Sequence, residues 1–179
     1  RHLAYRHLIE PPKNFPIPPP PEAYFRYRCN PLTTIGEPEV VLEVLRRIPF
    51  IVSLSYLPDE VTQLADIVLP EHQDLERYQL TTVMRDATAR KHLGVLLRQP
   101  VVKPLHNTME ISEIFTELAQ RMGFLDEYNA AVNDQVGLTG AHKLGPGKKY
   151  CWVEIVDRHC QSATSGKHDL QWFRQNGGY

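Results

Sequence analysis

The segment Phe50-Ile51-Val52-Ser53-Leu54 does most to limit the folds open to this chain. It is a short run after Pro49, apolar except for Ser53, and lacks the polar alternation of a strand that keeps one face in water. Such a run is expected of a strand buried on both faces, as in a parallel sheet whose crossovers lay helices over it. Its surroundings agree. Ala23 to Cys29 is aromatic-rich and strand-like, stopping at Asn30-Pro31. Thr33 or Thr34 is then placed to cap a helix with Pro38 in its first turn and an apolar stripe of Val40, Val41, Val44, Leu45 and Ile48. Glu37 and Glu39 lead this helix and Arg46 and Arg47 close it, matching the helix dipole. A brief helix over 59–65 and a short strand over 66–70 follow, so the pattern is strand, helix, strand, helix, strand, with right-handed crossovers expected. The expected class is α/β: a partial Rossmann-like three-layer domain with a mostly parallel sheet running from Ala23 to Gly123, plus irregular termini.

Before this core, Pro11 to Pro21 reads PPKNFPIPPPP, holding seven of the fifteen prolines. Proline cannot donate backbone hydrogen bonds, so Pro11 to Pro21 is expected to run as polyproline II and residues 1–22 to be a strap or linker. That reading is preferred over a ligand for a proline-recognising module. After the core, Asn107 with Glu110 offers a variant capping box for a helix whose face is Ile111, Ile114, Phe115, Leu118, Ala119 and Met122, ended by Gly123. Residues 23–125 are expected to form the α/β segment and 126–179 a loop-rich extension, with strand character only at Tyr150 to Val156. No repeat with a period of about 20 to 50 residues is present, which removes solenoids and propellers.

Function classes can be pruned on charge and motif. Twenty Lys and Arg against 21 Asp and Glu give a net charge of −1, which argues against a nucleic-acid partner. No run approaches the ~18 apolar residues of a membrane-spanning helix. The cysteines Cys29, Cys151 and Cys160 make no disulfide framework and leave the compartment open. Neither G-x-G-x-x-G nor a Walker-type phosphate loop occurs, and no G-x-S-x-G elbow. Cys151, His159, Cys160 and His168 match no standard zinc spacing. His72, among Glu71, Asp74 and Glu76, is a weak general-base candidate better read as solvated surface. What remains is the α/β pattern itself. It puts Asn30 to Thr34, Ser55 to Pro58 and Pro70 to His72 at the carboxyl ends of strands, where open sheets bind ligands, and polar side chains there suit a nucleotide.

These residues resemble a known family. The stretch from Asn30-Pro31 through Phe50-Ile51-Val52-Ser53, Asp59-Glu60-Val61-Thr62, Ala65-Asp66-Ile67-Val68-Leu69-Pro70 and Leu75-Glu76-Arg77 is similar to the large subunit of molybdopterin oxidoreductases, the dimethyl sulfoxide reductase family. Arg98-Gln99-Pro100-Val101-Val102-Lys103-Pro104 and the helix up to Gly123 look like its next segment, so the resemblance covers about residues 23 to 125. It implies a molybdenum bis(molybdopterin guanine dinucleotide) cofactor, with this region helping to hold one of the two dinucleotides through Asn30, Leu54, Ser55 and Arg77. Many relatives carry an acid where Ser55 stands and a threonine where Val61 stands, with Thr62 a partial replacement. A carboxylate accepts two bonds from a guanine edge, and a hydroxyl matches that edge less well.

The resemblance also implies parts with no counterpart in this sequence: an iron-sulfur or cofactor-entry domain, a residue facing molybdenum and a carboxy-terminal barrel. With its start at Arg1, the chain is expected to be an internal fragment of an oxidoreductase. Alone it should be inactive; its partners would be other domains of the same large subunit and an electron-transfer subunit. The alternative is a non-catalytic structural or interaction subunit that kept the scaffold.

Overall fold

A computed structural model describes residues 2–14, 19, 21–84 and 93–179. Of the proline-rich strap, residues 15–18 and 20 lie outside the described residues. The chain divides into two compact units, residues 1–71 and 72–179.

The first unit holds a three-stranded sheet in the order β1 (Ala23–Tyr27), β2 (Phe50–Ser55), β3 (Ile67–Pro70), parallel throughout. The register pairs Tyr27 with Leu54 and Ser55 with Pro70. β2 is central, and Ile51 to Ser55 are all buried, as the unbroken apolar run requires. Between β1 and β2 lie α2 (Pro31–Thr34) and α3 (Pro38–Arg47), each with proline in its first turn, where no intrahelical donor is needed. Val41, Val44 and Leu45 of α3 pack with Ile48, Ile51 and Val61, and Tyr5 and Leu8 of α1 (His2–Ile9) join this cluster.

Several local expectations change. Thr33 and Thr34 lie within α2 instead of capping α3; Asn30 caps α2 by accepting from the Leu32 N–H. α3 starts from Glu37, which sits in the left-handed region at φ 52° without a side-chain cap. The helix expected over 59–65 shortens to a 3-10 turn at Thr62–Leu64, because Asp59 and Thr62 bond to each other's backbone N–H (Thr62 N to Asp59 Oδ1 3.0 Å, Asp59 N to Thr62 Oγ1 2.8 Å).

In the second unit the sheet is not parallel. β4 (Gln79–Met84) and β5 (Leu93–Arg98) form an antiparallel ribbon, so the parallel core stops at Pro70 and does not continue to Gly123. Residues 177–179 add to the ribbon through Leu97 N to Gly177 O (2.8 Å) and the reciprocal Val95 and Tyr179 pair (2.9 and 2.8 Å). α4 (Ile111–Met122) ends at Gly123 (φ 83°) as expected, but its cap is Glu110, whose carboxylate accepts from the Ser112 N–H at 2.6 Å, not Asn107.

The expectation of loop beyond Gly123 is corrected by three helices: α5 (Leu125–Val136), α6 (Trp152–Ala163) and α7 (Leu170–Asn176). The strand expected at Tyr150 to Val156 is instead the start of α6, with Glu154 reaching back to the Cys151 N–H (3.0 Å). α5 hides from a periodicity reading because asparagines do part of its packing. Asn129, buried, donates to the carbonyls of Gly145 and Lys148 (3.0 and 2.9 Å), and Asn133 exchanges two bonds with Leu144 (3.0 and 2.7 Å). These side chains stitch the glycine-rich loop to the helix. Val156 and Cys160 of α6 then pack with Val95, Leu97, Leu170 and Phe173 into the unit's core.

Candidate functional site

Because β1 and β2 are parallel neighbours in register, the loops that leave their carboxyl ends emerge at one edge of the sheet. Asn30 and Ser55, both nominated from sequence, therefore meet at that edge. Asn30 follows β1 by three residues and Ser55 is the last residue of β2. Leu54 sits beside them, but its side chain is fully buried and its carbonyl accepts from the Arg28 N–H at 3.3 Å. Arg77 belongs to the second unit.

Each polar group at the edge has specific bonds. Ser55 Oγ donates to the Leu57 carbonyl at 2.7 Å and accepts from the Leu57 N–H at 3.4 Å, closing a turn. With Tyr56, Leu57, Pro58, Thr62, Val68 and Pro70 it lines a cavity of about 260 Å³. Asn30 uses both ends of its amide, accepting from Leu32 N at 3.2 Å and donating to Glu60 Oε2 at 2.5 Å.

Beneath this edge lie charges that the sequence reading did not pick out. Arg26, 2% exposed, donates to Asp59, to the Cys29 carbonyl and to Ser53 Oγ (2.8 Å). Arg28, at φ 47°, pairs with the buried Glu71 and stacks over the Tyr56 ring at 4.9 Å. The signal available for Arg26 was its place in the period-two pattern, one strand step from the inward Tyr24. Tyr24 itself packs against the core, and burial with the neighbouring Tyr5 pushes its phenol pKa well up. The two arginines are structural supports for the loops: the buried Arg26 and the partly buried Arg28 fix where the chain can turn.

In the second unit, Arg77 donates to Glu110 Oε1 at 2.9 Å and approaches Asp74 at 3.4 Å, while its Nε has no partner. Burial raises the Glu110 pKa against the opposing pull of Ser112 N–H and Arg77. The pair lines a cavity of about 350 Å³ with Gln79, Trp152 and His159. His159 is held below the usual imidazole value by burial. Among the described residues no three His, Cys, Asp or Glu side chains gather as a metal site would require, and no helix is long and apolar enough to cross a membrane.

Comparison with known proteins adds to this geometry. No family model matches the chain. The trimethylamine-N-oxide reductase of Pasteurella multocida (strain Pm70) is 24% identical over 147 residues, which is 82% of this chain and 16% of that protein. The trimethylamine-N-oxide reductase of Vibrio parahaemolyticus serotype O3:K6 (strain RIMD 2210633) is 21% identical over the same shares. Among solved structures, acetylene hydratase from Pelobacter acetylenicus superposes with a TM-score of 0.66 at 18% identity, over 98% of this chain and 20% of that one. This chain spans about a sixth of the length of the reductases. It is thus similar in sequence to one part of two reductases and has the α/β fold of one part of a hydratase.

Proposed function

We propose that the chain is a segment of a molybdenum-dependent oxidoreductase large subunit, and that the sheet edge carrying Asn30 and Ser55 helps to hold a molybdopterin guanine dinucleotide. The observation that carries this reading is the parallel pairing of β1 with β2, which sends both polar loops to one edge, in a chain similar to trimethylamine-N-oxide reductases. Open sheets bind nucleotides at such edges.

The donor set fits the group. The edge offers an amide, a hydroxyl, a phenol and the Glu60 carboxylate, beside cavities of about 260 and 450 Å³, and the larger one lies within the usual range for small-molecule sites. When bound, the cofactor supplies the redox chemistry through its metal. This chain's residues would position it. Asn30 braces the first loop, Ser55 holds the turn that shapes the second, and the backbone around Leu54 sets the height of both. Arg77 belongs to the second unit, where it holds Glu110 and Asp74. The partners in this reading are other domains of the same large subunit and an electron-transfer subunit, with any iron-sulfur cluster outside the segment.

The test uses the full-length protein that contains this segment. Molybdenum by plasma mass spectrometry and guanine nucleotide by acid release are expected together, in fixed proportion to polypeptide. Asn30→Ala is expected to lower both. A full-length protein with neither molybdenum nor guanine nucleotide, after expression in a host that makes the cofactor, overturns the proposal.

A further inference from the structure

Asn30 and Ser55, nominated as cofactor contacts, each carry hydrogen bonds that shape their own loops. Asn30 has its oxygen on Leu32 N and its nitrogen on Glu60, and Ser55 has its hydroxyl on both backbone groups of Leu57. Asp59 is taken up by Arg26 and Thr62. Glu60 differs. It is exposed, and Asn30 Nδ2 occupies one acceptor position of the roughly four that a carboxylate offers. The same bond restricts its orientation. Glu60 lines a cavity of about 450 Å³ whose walls include Leu32, Leu42 and Leu64, with Thr33, Gln63 and a second carboxylate, Glu39, as further polar groups.

This combination has a chemical meaning. A largely apolar cavity in which Asn30 holds one carboxylate, Glu60, in a fixed orientation suits an aromatic ring that presents two adjacent N–H donors. Guanine does so with N1–H and its exocyclic amino group, so one carboxylate accepts both. Adenine places an acceptor nitrogen beside its amino group, and a carboxylate facing that edge repels the lone pair.

We infer that Glu60, steered by Asn30, is the acceptor that selects guanine in this chain, where position 55 carries a hydroxyl. This inference rests on the function proposed above. Asn30 then acts as a positioning residue through Glu60.

The experiment measures guanine nucleotide retained per polypeptide after exhaustive dialysis of full-length wild type, Glu60→Gln, Glu60→Asp and Asn30→Ala, with a thermal melt of each. Glu60→Gln is expected to retain at least about tenfold less, the range of one charge-assisted bond lost. It should melt with the wild type, because Glu60 is exposed. Glu60→Asp keeps the charge on a shorter arm and should fall between; Asn30→Ala should follow Glu60→Gln. If Glu60→Gln alters the melt, Glu60→Asp carries the same comparison. Full retention in the variant that melts normally overturns the role of Glu60 alone. A wild type without guanine nucleotide overturns the underlying function.

Discussion

Replacing Asp59 by Asn tests whether the Arg26 guanidinium is held by its countercharge. The substitution keeps size and shape, and an amide oxygen can still accept from Thr62 N as Asp59 Oδ1 does at 3.0 Å. It removes the charge facing an arginine that is 2% exposed. Breaking a buried pair by removing one partner costs about 3–5 kcal/mol, since the remaining ion stays desolvated. Two neutral acceptors, Ser53 Oγ and the Cys29 carbonyl, remain on Arg26, which places the cost near the lower end, about 3 kcal/mol. Arg26→Met should cost less, about 1–2 kcal/mol, because the carboxylate left behind is 20% exposed and water can reach it. The double variant should recover much of the Asp59→Asn loss, since it buries no ion. Urea unfolding of the 179-residue chain followed by far-UV circular dichroism measures the sum, and amide exchange in β1 and β2 assigns it to the first unit. Tryptophan fluorescence would not serve, as Trp152 and Trp172 both lie in the second unit. An Asp59→Asn chain within 1 kcal/mol of the wild type, or a double variant less stable than Asp59→Asn, would refute the argument.

Val52→Asp should be severely destabilising, because an unpaired carboxylate would replace a side chain 3% exposed in the central strand; a melt like the parent's would remove Val52 from the core. Burial lowers the His159 pKa, so its neutral form favours folding: that stability is complete above the ordinary imidazole value near 6.5 and is lost as pH falls through the folded value. Glu110, raised by burial, acts with the opposite sign at lower pH, and His159→Gln should flatten only the imidazole part of a urea-midpoint profile against pH. A Cβ at Gly178 would lie 2.5 Å from Leu96 Cδ2 and 3.0 Å from the Val95 carbonyl, so Gly178→Ala should cost about 1–3 kcal/mol and speed amide exchange at Val95 and Leu97. Calorimetric titration of the 179-residue chain with guanosine diphosphate should give a dissociation constant weaker than micromolar, since even two bonds to the Glu60 carboxylate at about 1.5–3 kcal/mol each fall short of the roughly 8 kcal/mol required.

What could be read from the residues was what short-range physics determines. Phe50 to Leu54 announced a central parallel strand because no partly solvated strand tolerates so continuous an apolar run. Pro38 and Gly123 marked helix ends because each suits few backbone positions. The edge at Asn30 and Ser55 followed from strand direction alone. The unread parts depend on partners distant in sequence. The period-two pattern puts Arg26 on the face of Tyr24, but a buried arginine makes sense only once Asp59, 33 residues on, is placed beside it. Asn129 and Asn133 read as loop formers until the Gly145 to Lys148 carbonyls reach them. Glu60 escaped notice because its role depends on Asn30 Nδ2, a bond across 30 residues.

The three strands of the parallel sheet, the helices between them and Glu71 all fall within one unbroken stretch of chain. Among the described residues, therefore, the pairing of these three strands needs nothing encoded between residues 72 and 179. At roughly 5–20 residues per second, making residues 72–179 takes on the order of 5–20 s, longer than the milliseconds to about a second in which small domains with non-local strand pairing fold. The sheet edge can be shaped before the second unit has left the ribosome, and a ligand that needs only that edge would meet a finished surface on a nascent chain.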